Sequence, residues 1–270
     1  MNTQFGNNSF IEADFIDLGR DFQIGSNVKI KVRGKFVIGD FGRFGNNVTI
    51  NAEEVVIGKH FYHYTDGLNI GGGGSQFPEA ILKVGDRCVF HNNYINLARQ
   101  VTIGNDVGLS PDVDIITHGF WNSVLEGYPT KYAGVVIYDG VIVGQRSMIL
   151  PGASIADYVV IGAQSTVSGV LYIPKSVYAG NPAKFIRALK ELTIEEKEKQ
   201  FTDIMNRYIA LSSKTYFVAN YPCIFVGDAV INVEKQEITG TETEETDQLR
   251  DFLRRYGIRI YTERSFKSIC

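Results

Sequence analysis

Cysteine is scarce. Cys88, Cys223 and Cys270 are too few and too scattered for a disulfide framework or a paired-cysteine metal site. No run approaches the eighteen consecutive apolar residues that a membrane span requires, so none is expected. Positive charge is not in excess: 27 Lys and Arg against 30 Asp and Glu leave a net charge of −3. That excludes a nucleic-acid partner held by bulk basicity, though not a local basic patch. The opening MNTQFGNNSFIEADF has neither the basic stretch nor the apolar core of a secretory leader, so a reducing cytoplasmic setting is expected. What remains is ordinary: 44% hydrophobic and 21% charged residues over 270 positions, enough for one elongated fold or two modest domains.

Glycine is plentiful at 28 residues, and its placement is telling. It follows an aliphatic residue at Ile24-Gly25, Ile38-Gly39, Ile57-Gly58, Val84-Gly85, Ile103-Gly104, Val143-Gly144 and Ile161-Gly162. From residue 137 onward, Ile137, Val143, Ile149, Ile155, Ile161, Val167 and Ile173 fall at steps of six. A second apolar or small series runs two residues ahead: Val135, Val141, Ser147, Ala153, Val159, Ser165 and Leu171. The same register recurs at Val101/Ile103, Val107/Leu109 and Val113/Ile115, and more raggedly from Phe22/Ile24 to Val48/Ile50. Six residues fit neither an amphipathic helix nor a plain alternating strand over such a length. They fit short strands whose residues two apart share a face, with a turn resetting the count. Three such strands closing a triangular coil stack the aliphatic residues into columns, and Gly, Asn or Asp after the aliphatic residue suits a tight or positive-φ corner. A β-sandwich of regular strands is the alternative, but sandwiches carry turn signals every 8–12 residues.

The register breaks twice, over about 58–83 and 116–134, and both stretches are expected to be loop excursions that carry binding groups. Past Gly180-Asn181-Pro182 the hexads stop. Thr193 and Glu196 form a capping box ahead of a helical stripe, so a helix is expected over about 193–212. Short strands are expected at Tyr216–Ala219, Cys223–Val226, Ala229–Val233 and Glu237–Thr239. A helix then follows in DQLRDFLRRYG, with a last strand at Ile258–Tyr261. The expected organisation is mainly β: a left-handed parallel β-helix of hexapeptide repeats over 1–187, then a C-terminal helix and small α/β appendage over 188–270.

These hexads resemble the hexapeptide-repeat acyltransferases. Residues 101–118, VTIGNDVGLSPDVDIITH, are similar to the run leading to the catalytic histidine in the maltose, galactoside and xenobiotic O-acetyltransferase branch. Residues 135–187 are similar to that branch's closing coils, most specifically in ILPGASI and GNPAKFIR. The resemblance implies transfer of an acyl group, usually acetyl, from coenzyme A to a hydroxyl or amine. It also implies a homotrimer with active sites between neighbouring coils, acting on a saccharide or nucleotide-sugar acceptor.

Carried onto this sequence, the resemblance makes His118 the general base: a sugar hydroxyl must lose its proton as it attacks a thioester, and imidazole suits that near neutral pH. The alternative is a surface or interface histidine. Glu126 or a backbone carbonyl is the candidate to orient it. His91, Asn92 and Asn93 are acceptor-side candidates, with corner asparagines as the alternative, while His60 and His63 are expected on the first excursion or the surface. Phe120 and Trp121 either stack on the acceptor or pack within their loop. For the coenzyme, backbone groups at Gly144, Gln145 and Ala163 are candidates for the pantetheine amides. Ser168 stands where the branch often has Thr before Lys. Gly169 follows instead, so that lysine is missing, and Lys184 and Arg187 are left for the phosphates, with a solvated helix start as the alternative. Gly71–Gly74 is not a phosphate-binding loop, because no Lys-Ser/Thr follows, and it is expected to be flexible backbone at the acceptor entrance. Metal catalysis is not expected: the related zinc carbonic anhydrases pair histidines five residues apart, and no histidine lies five from His118. A catalytically idle scaffold and an amino-acid O-acetyltransferase are the competing functions.

Overall fold

The structure, a computed structural model, describes residues 4–213 and 216–268. Cys270 lies outside the described residues. The chain forms two units, Met1–Leu189 and Lys190–Cys270, each with its own core.

The first unit is a parallel β-helix. Its first wall has ten strands, from Gln4–Phe5 to Lys184–Ala188. The second has eight, from Phe10–Glu12 to Thr166–Val167, and the third has eight, from Phe15–Leu18 to Val170–Leu171. The chain visits the walls in that order, and each strand pairs in parallel with its counterpart one coil on, as Ile115 does with Ile149 and Ile149 with Val167. Among the described strands of the three walls, only the last, Lys184–Ala188, runs antiparallel, against Ser176–Ala179. Both six-step series point inward. Ile137, Val143, Ile149, Ile155, Ile161 and Val167 are buried, as are Val135, Val141, Ser147, Ala153, Val159 and Ser165. The series breaks at its end. The Ser168-Gly169 corner is two residues short, so Leu171, not Ile173, pairs with Ile155 and takes the inward place.

The corners differ in detail from the expectation that glycine after the aliphatic residue supplies positive φ. Positive φ falls two residues later, at Asn27, Phe41, Asn47, His60, Arg87, Asp106, Arg146 and Gln164. The glycine is required for close approach instead: a Cβ on Gly144 would stand 2.5 Å from the Ala163 nitrogen of the next coil. Two of the three prism edges are stitched by side chains. Along the edge between the third and first walls, the N–H groups of Lys59, Asp86, Asn105 and Asp139 donate to Asp86, Asn105, Asp139 and Asp157 at 2.7–3.0 Å. Between the first and second walls, Ser26 N–H donates likewise to Asn46. The edge between the second and third walls is built otherwise, and both excursions leave from it.

The first excursion is shorter than the sequence suggests. The coil continues through Tyr62–His63 and Leu68–Ile70, so only Gly71–Ala80 departs. His60 and His63 are therefore coil residues, not loop residues. His60 stacks on Phe41 at a corner. His63 points inward, between Phe44 and Phe90, and is only 3% exposed. Its Nδ1 accepts the Gly45 N–H at 3.1 Å, which requires the neutral ring. Burial holds the imidazoles of His63, His60 and His91 below their ordinary value of 6.5. Below that value the unfolded chain takes up protons that the folded chain refuses, so stability is complete above pH 6.5 and falls as the pH drops. The melting temperature is expected to fall between pH 7.5 and 5.5, and by less in His63→Gln, which keeps an acceptor for Gly45. An equal fall in both proteins contradicts this.

The second unit follows the sequence closely. Helix α1 (Ile194–Ser212) starts at the expected capping box. Four antiparallel strands follow, Val218–Asn220, Cys223–Val226, Ala229–Asn232 and Glu237–Thr239, then helix α2 (Glu244–Arg254). The expected strand at Ile258–Tyr261 does not form. That segment instead folds back so that the Ile260 carbonyl accepts from the fully buried Arg250.

Candidate active site

The open edge gathers the chemistry. Three successive coils turn there at Gly71–Gly74, at Asn96–Ala98 and at Ile116–His118. Asn96, 3% exposed, joins them. Its amide nitrogen donates to the Gly72 carbonyl at 3.0 Å and to that of Gly73. Its carbonyl oxygen accepts from Thr117 Oγ1 at 2.6 Å and lies 2.8 Å from His118 Nδ1. Because the amide nitrogen is committed to two carbonyls, the oxygen must face the imidazole, and an amide oxygen only accepts. The proton of a neutral His118 therefore sits on Nδ1, leaving a lone pair on Nε2.

Tyr94 holds the same loop, its hydroxyl donating to the Gly72 carbonyl. The glycines are thus pinned, not flexible, and the conformation requires them: Gly74 has φ +120°, and a Cβ there would stand 2.5 Å from the Ala98 nitrogen. At Gly73 (φ +76°) a Cβ would stand 3.0 Å from the Asn96 amide nitrogen and in ordinary contact, 3.7 Å, with His118 Cε1, so this loop lies beside the catalytic candidate.

The second excursion is a hairpin arm. His118–Gly119 pairs antiparallel with Lys131–Tyr132, setting Tyr132 opposite His118, and the two rings stack at 5.4 Å. Phe120 stacks on Tyr132 at 5.8 Å, and Phe77 of the first excursion meets it edge-on at 6.0 Å. Arg99 clasps the two excursions together. Its guanidinium lies 5.1 Å from the Tyr132 ring and 5.7 Å from the Phe77 ring, beside Glu79 at 3.7 Å.

The structure does not bring every sequence candidate to this edge. Glu126 sits in a turn (Val124–Glu126) on the exposed arm, and Asn96, rather than Glu126 or a backbone carbonyl, meets His118 Nδ1. Phe120 packs within the arm, whereas Trp121 is 91% exposed. His91, Asn92 and Asn93 occupy the edge between the first and second walls, separated from His118's edge by the strand Tyr94–Ile95. There Asn92 donates to Asp112, and the buried Asn93 accepts from His91 N–H and donates to the Ser110 carbonyl, as corner asparagines do.

Of the coenzyme candidates, Gly144, Gln145 and Ala163 share that other edge. The Gly144 N–H is bonded to Ile161 and the Gln145 carbonyl to Gln164, so both are committed to the coil. Ser168 is on His118's edge, two coils on. Lys184 and Arg187 are exposed on the last strand, not at a helix start. Among the described residues, no group of three His, Cys, Asp or Glu side chains is disposed to hold a metal ion. No described helix is long and apolar enough to cross a membrane.

A protein of Lysinibacillus sphaericus, named for macrolide acetyltransferase activity, is 43% identical over 70 residues, covering 25% of this chain and 38% of that protein. The Escherichia coli (strain K12) protein WbbJ, named for O-acetyl transfer in lipopolysaccharide biosynthesis, is 36% identical over 110 residues, covering 36% of this chain and 55% of that protein. Over part of its length the chain is similar to these two proteins named as acetyltransferases. It spans between about a third and just over half of the length of these relatives. No protein-family model matches it. A hexapeptide-repeat acetyltransferase of Vibrio cholerae, known from a crystal structure, is 20% identical, with 53% of this chain and 76% of that one covered at a TM-score of 0.39.

Proposed function

We propose that this protein transfers an acetyl group from acetyl-coenzyme A to a hydroxyl of a saccharide, with His118 as general base. The observation that carries the reading is the fixed tautomer. With Nδ1–H held by Asn96 Oδ1, Nε2 is the basic atom, on the edge from which both excursions rise. In the reaction Nε2 takes the proton of the acceptor hydroxyl as its oxygen bonds to the thioester carbonyl carbon. The carbon–sulfur bond then breaks, and the imidazolium returns the proton to the departing sulfur, giving ester and free thiol. Ser168, on the same edge, and the exposed cations Lys184 and Arg187 are the side chains offered to the coenzyme. Three copies pack side by side in this reading. The outward apolar residues of the closing coils (Ile142, Met148, Tyr158, Val170) and of the arm (Trp121, Leu125) support this. Of the two named relatives, one is named for transfer to oxygen and the other for acetyl transfer to a macrolide.

Thiol release from acetyl-coenzyme A, measured with a panel of sugars, nucleotide sugars and amino sugars, tests the reading. Release stimulated by hydroxyl acceptors is expected. Release with no acceptor in the panel, or only with free amines, contradicts it.

A further inference from the structure

A recess lies on the same edge, towards the N-terminal coils. It is an open groove of about 560 Å³, lined by Glu12, Asp14, Lys31, Arg33, Asn51 and Ser75, with Ala13, Val32 and Ala52 as a small apolar floor. The size is that of a small-molecule site. Three observations connect it to His118. Ser75 of the first excursion lines it, and Gly73, two residues away, lies against His118. Two residues of chain span at most about 7 Å. Arg33 both lines the groove and anchors that excursion, donating to the Ser75 carbonyl at 2.6 Å and the Phe77 carbonyl at 3.0 Å. Finally, apart from Arg33, polar side chains here are unspent. Asp40, Asp86, Asp106 and Asp139 on another edge are bonded to neighbouring coils. The side chains of Glu12, Asp14, Asn51 and Ser75, by contrast, line the groove, and among the described residues they show no side-chain hydrogen bond.

We infer that this groove holds the further sugar units of an oligosaccharide acceptor whose reacting unit lies at His118. The inference rests on the function proposed above. Glu12 and Asp14 face Lys31 and Arg33, and Arg33 is already paired with Glu53 at 2.7 Å, so the groove has no excess of positive charge, which disfavours a diphosphate and suits an uncharged, hydroxyl-rich chain that both donates and accepts. Binding energy from units remote from the reacting hydroxyl serves to position that hydroxyl, so it raises kcat/KM with chain length.

The test uses series of one to five units built on glucose, galactose and N-acetylglucosamine, with thiol release measured for the full-length protein and for a Asp14→Ala/Lys31→Ala double variant. Both residues are exposed and away from His118. In the best series kcat/KM is expected to rise tenfold or more between one and three units. The double variant removes that gain and leaves the single-unit rate unchanged. A flat length profile, or a double variant that lowers every length equally, overturns the groove assignment while leaving the proposed reaction standing. No release at any length in any series overturns the saccharide reading itself, and the inference with it.

Discussion

On the proposed mechanism, His118→Ala is expected to slow acetyl transfer to a sugar hydroxyl by about 10²–10⁴-fold, the range that a positioned general base supplies. The loss falls in kcat, because removing the imidazole deletes a proton acceptor and leaves the coenzyme's own contacts in place. The coil survives, because His118 stands at an outer edge and contributes nothing to the stacked core of inward aliphatic residues. An amine that reaches the thioester already deprotonated loses much less, so the size of the defect also separates oxygen from nitrogen acceptors. Full activity of the variant with a hydroxyl acceptor, measured by thiol release at saturating acetyl-coenzyme A, is incompatible with the proposed role.

Asn96→Leu carries the second large effect. In the proposed mechanism Asn96 is a positioning residue: its oxygen holds His118 Nδ1 and its nitrogen holds the carbonyls of Gly72 and Gly73. Without it the imidazole loses its fixed tautomer and orientation, and kcat falls on the order of 10²-fold, as misplacement of a reacting group does. Stranding polar groups at a buried site also lowers stability by about 1–3 kcal/mol. The Michaelis constant for acetyl-coenzyme A is expected to stay put, which a general loss of structure would not allow. Asn96→Asp separates the two jobs. It keeps an oxygen for Nδ1, so its kcat lies nearer the native value. It also turns a carboxylate oxygen towards two glycine carbonyls, so its melting temperature falls. An Asn96→Leu protein with native kcat contradicts the assignment.

The coil was legible because its physics is periodic. Two inward residues per strand and one turn per six residues write themselves into the order of Ile, Val, Ser and Ala. The places where reading failed are those where a non-periodic contact wins. The coil runs on through 58–70 because His63 and Tyr62 hold strand positions that an aliphatic pattern does not anticipate. The corner at Ser168-Gly169 shortens by two residues, shifting Leu171 into the column that spacing gives to Ile173. Four glycines in a row look flexible in a sequence. Only the approach of Ala98 and the hydrogen bonds from Asn96 and Tyr94 show that they are held.

The candidate site was legible only in part. His118 is found by its place after the inward Ile115 at the start of an excursion. Its partner is not, because Asn96 is 22 residues earlier and meets His118 only once one coil is stacked on the next. The signal that reaches it is the coil register itself: Ile95 pairs with Ile115, so the residue after Ile95 faces the turn that carries His118. His91, Asn92 and Asn93 illustrate the complementary point, since nearness in sequence to Asn96 puts them at the other end of a two-residue strand, on another edge.

A crystal structure of the protein with coenzyme A and an acceptor oligosaccharide is the most direct measurement. It is predicted to show the sulfur and the acceptor hydroxyl against His118 Nε2, with Nδ1 still on Asn96. A coenzyme seated along the edge of His91, with Nε2 facing away from both molecules, would contradict the account.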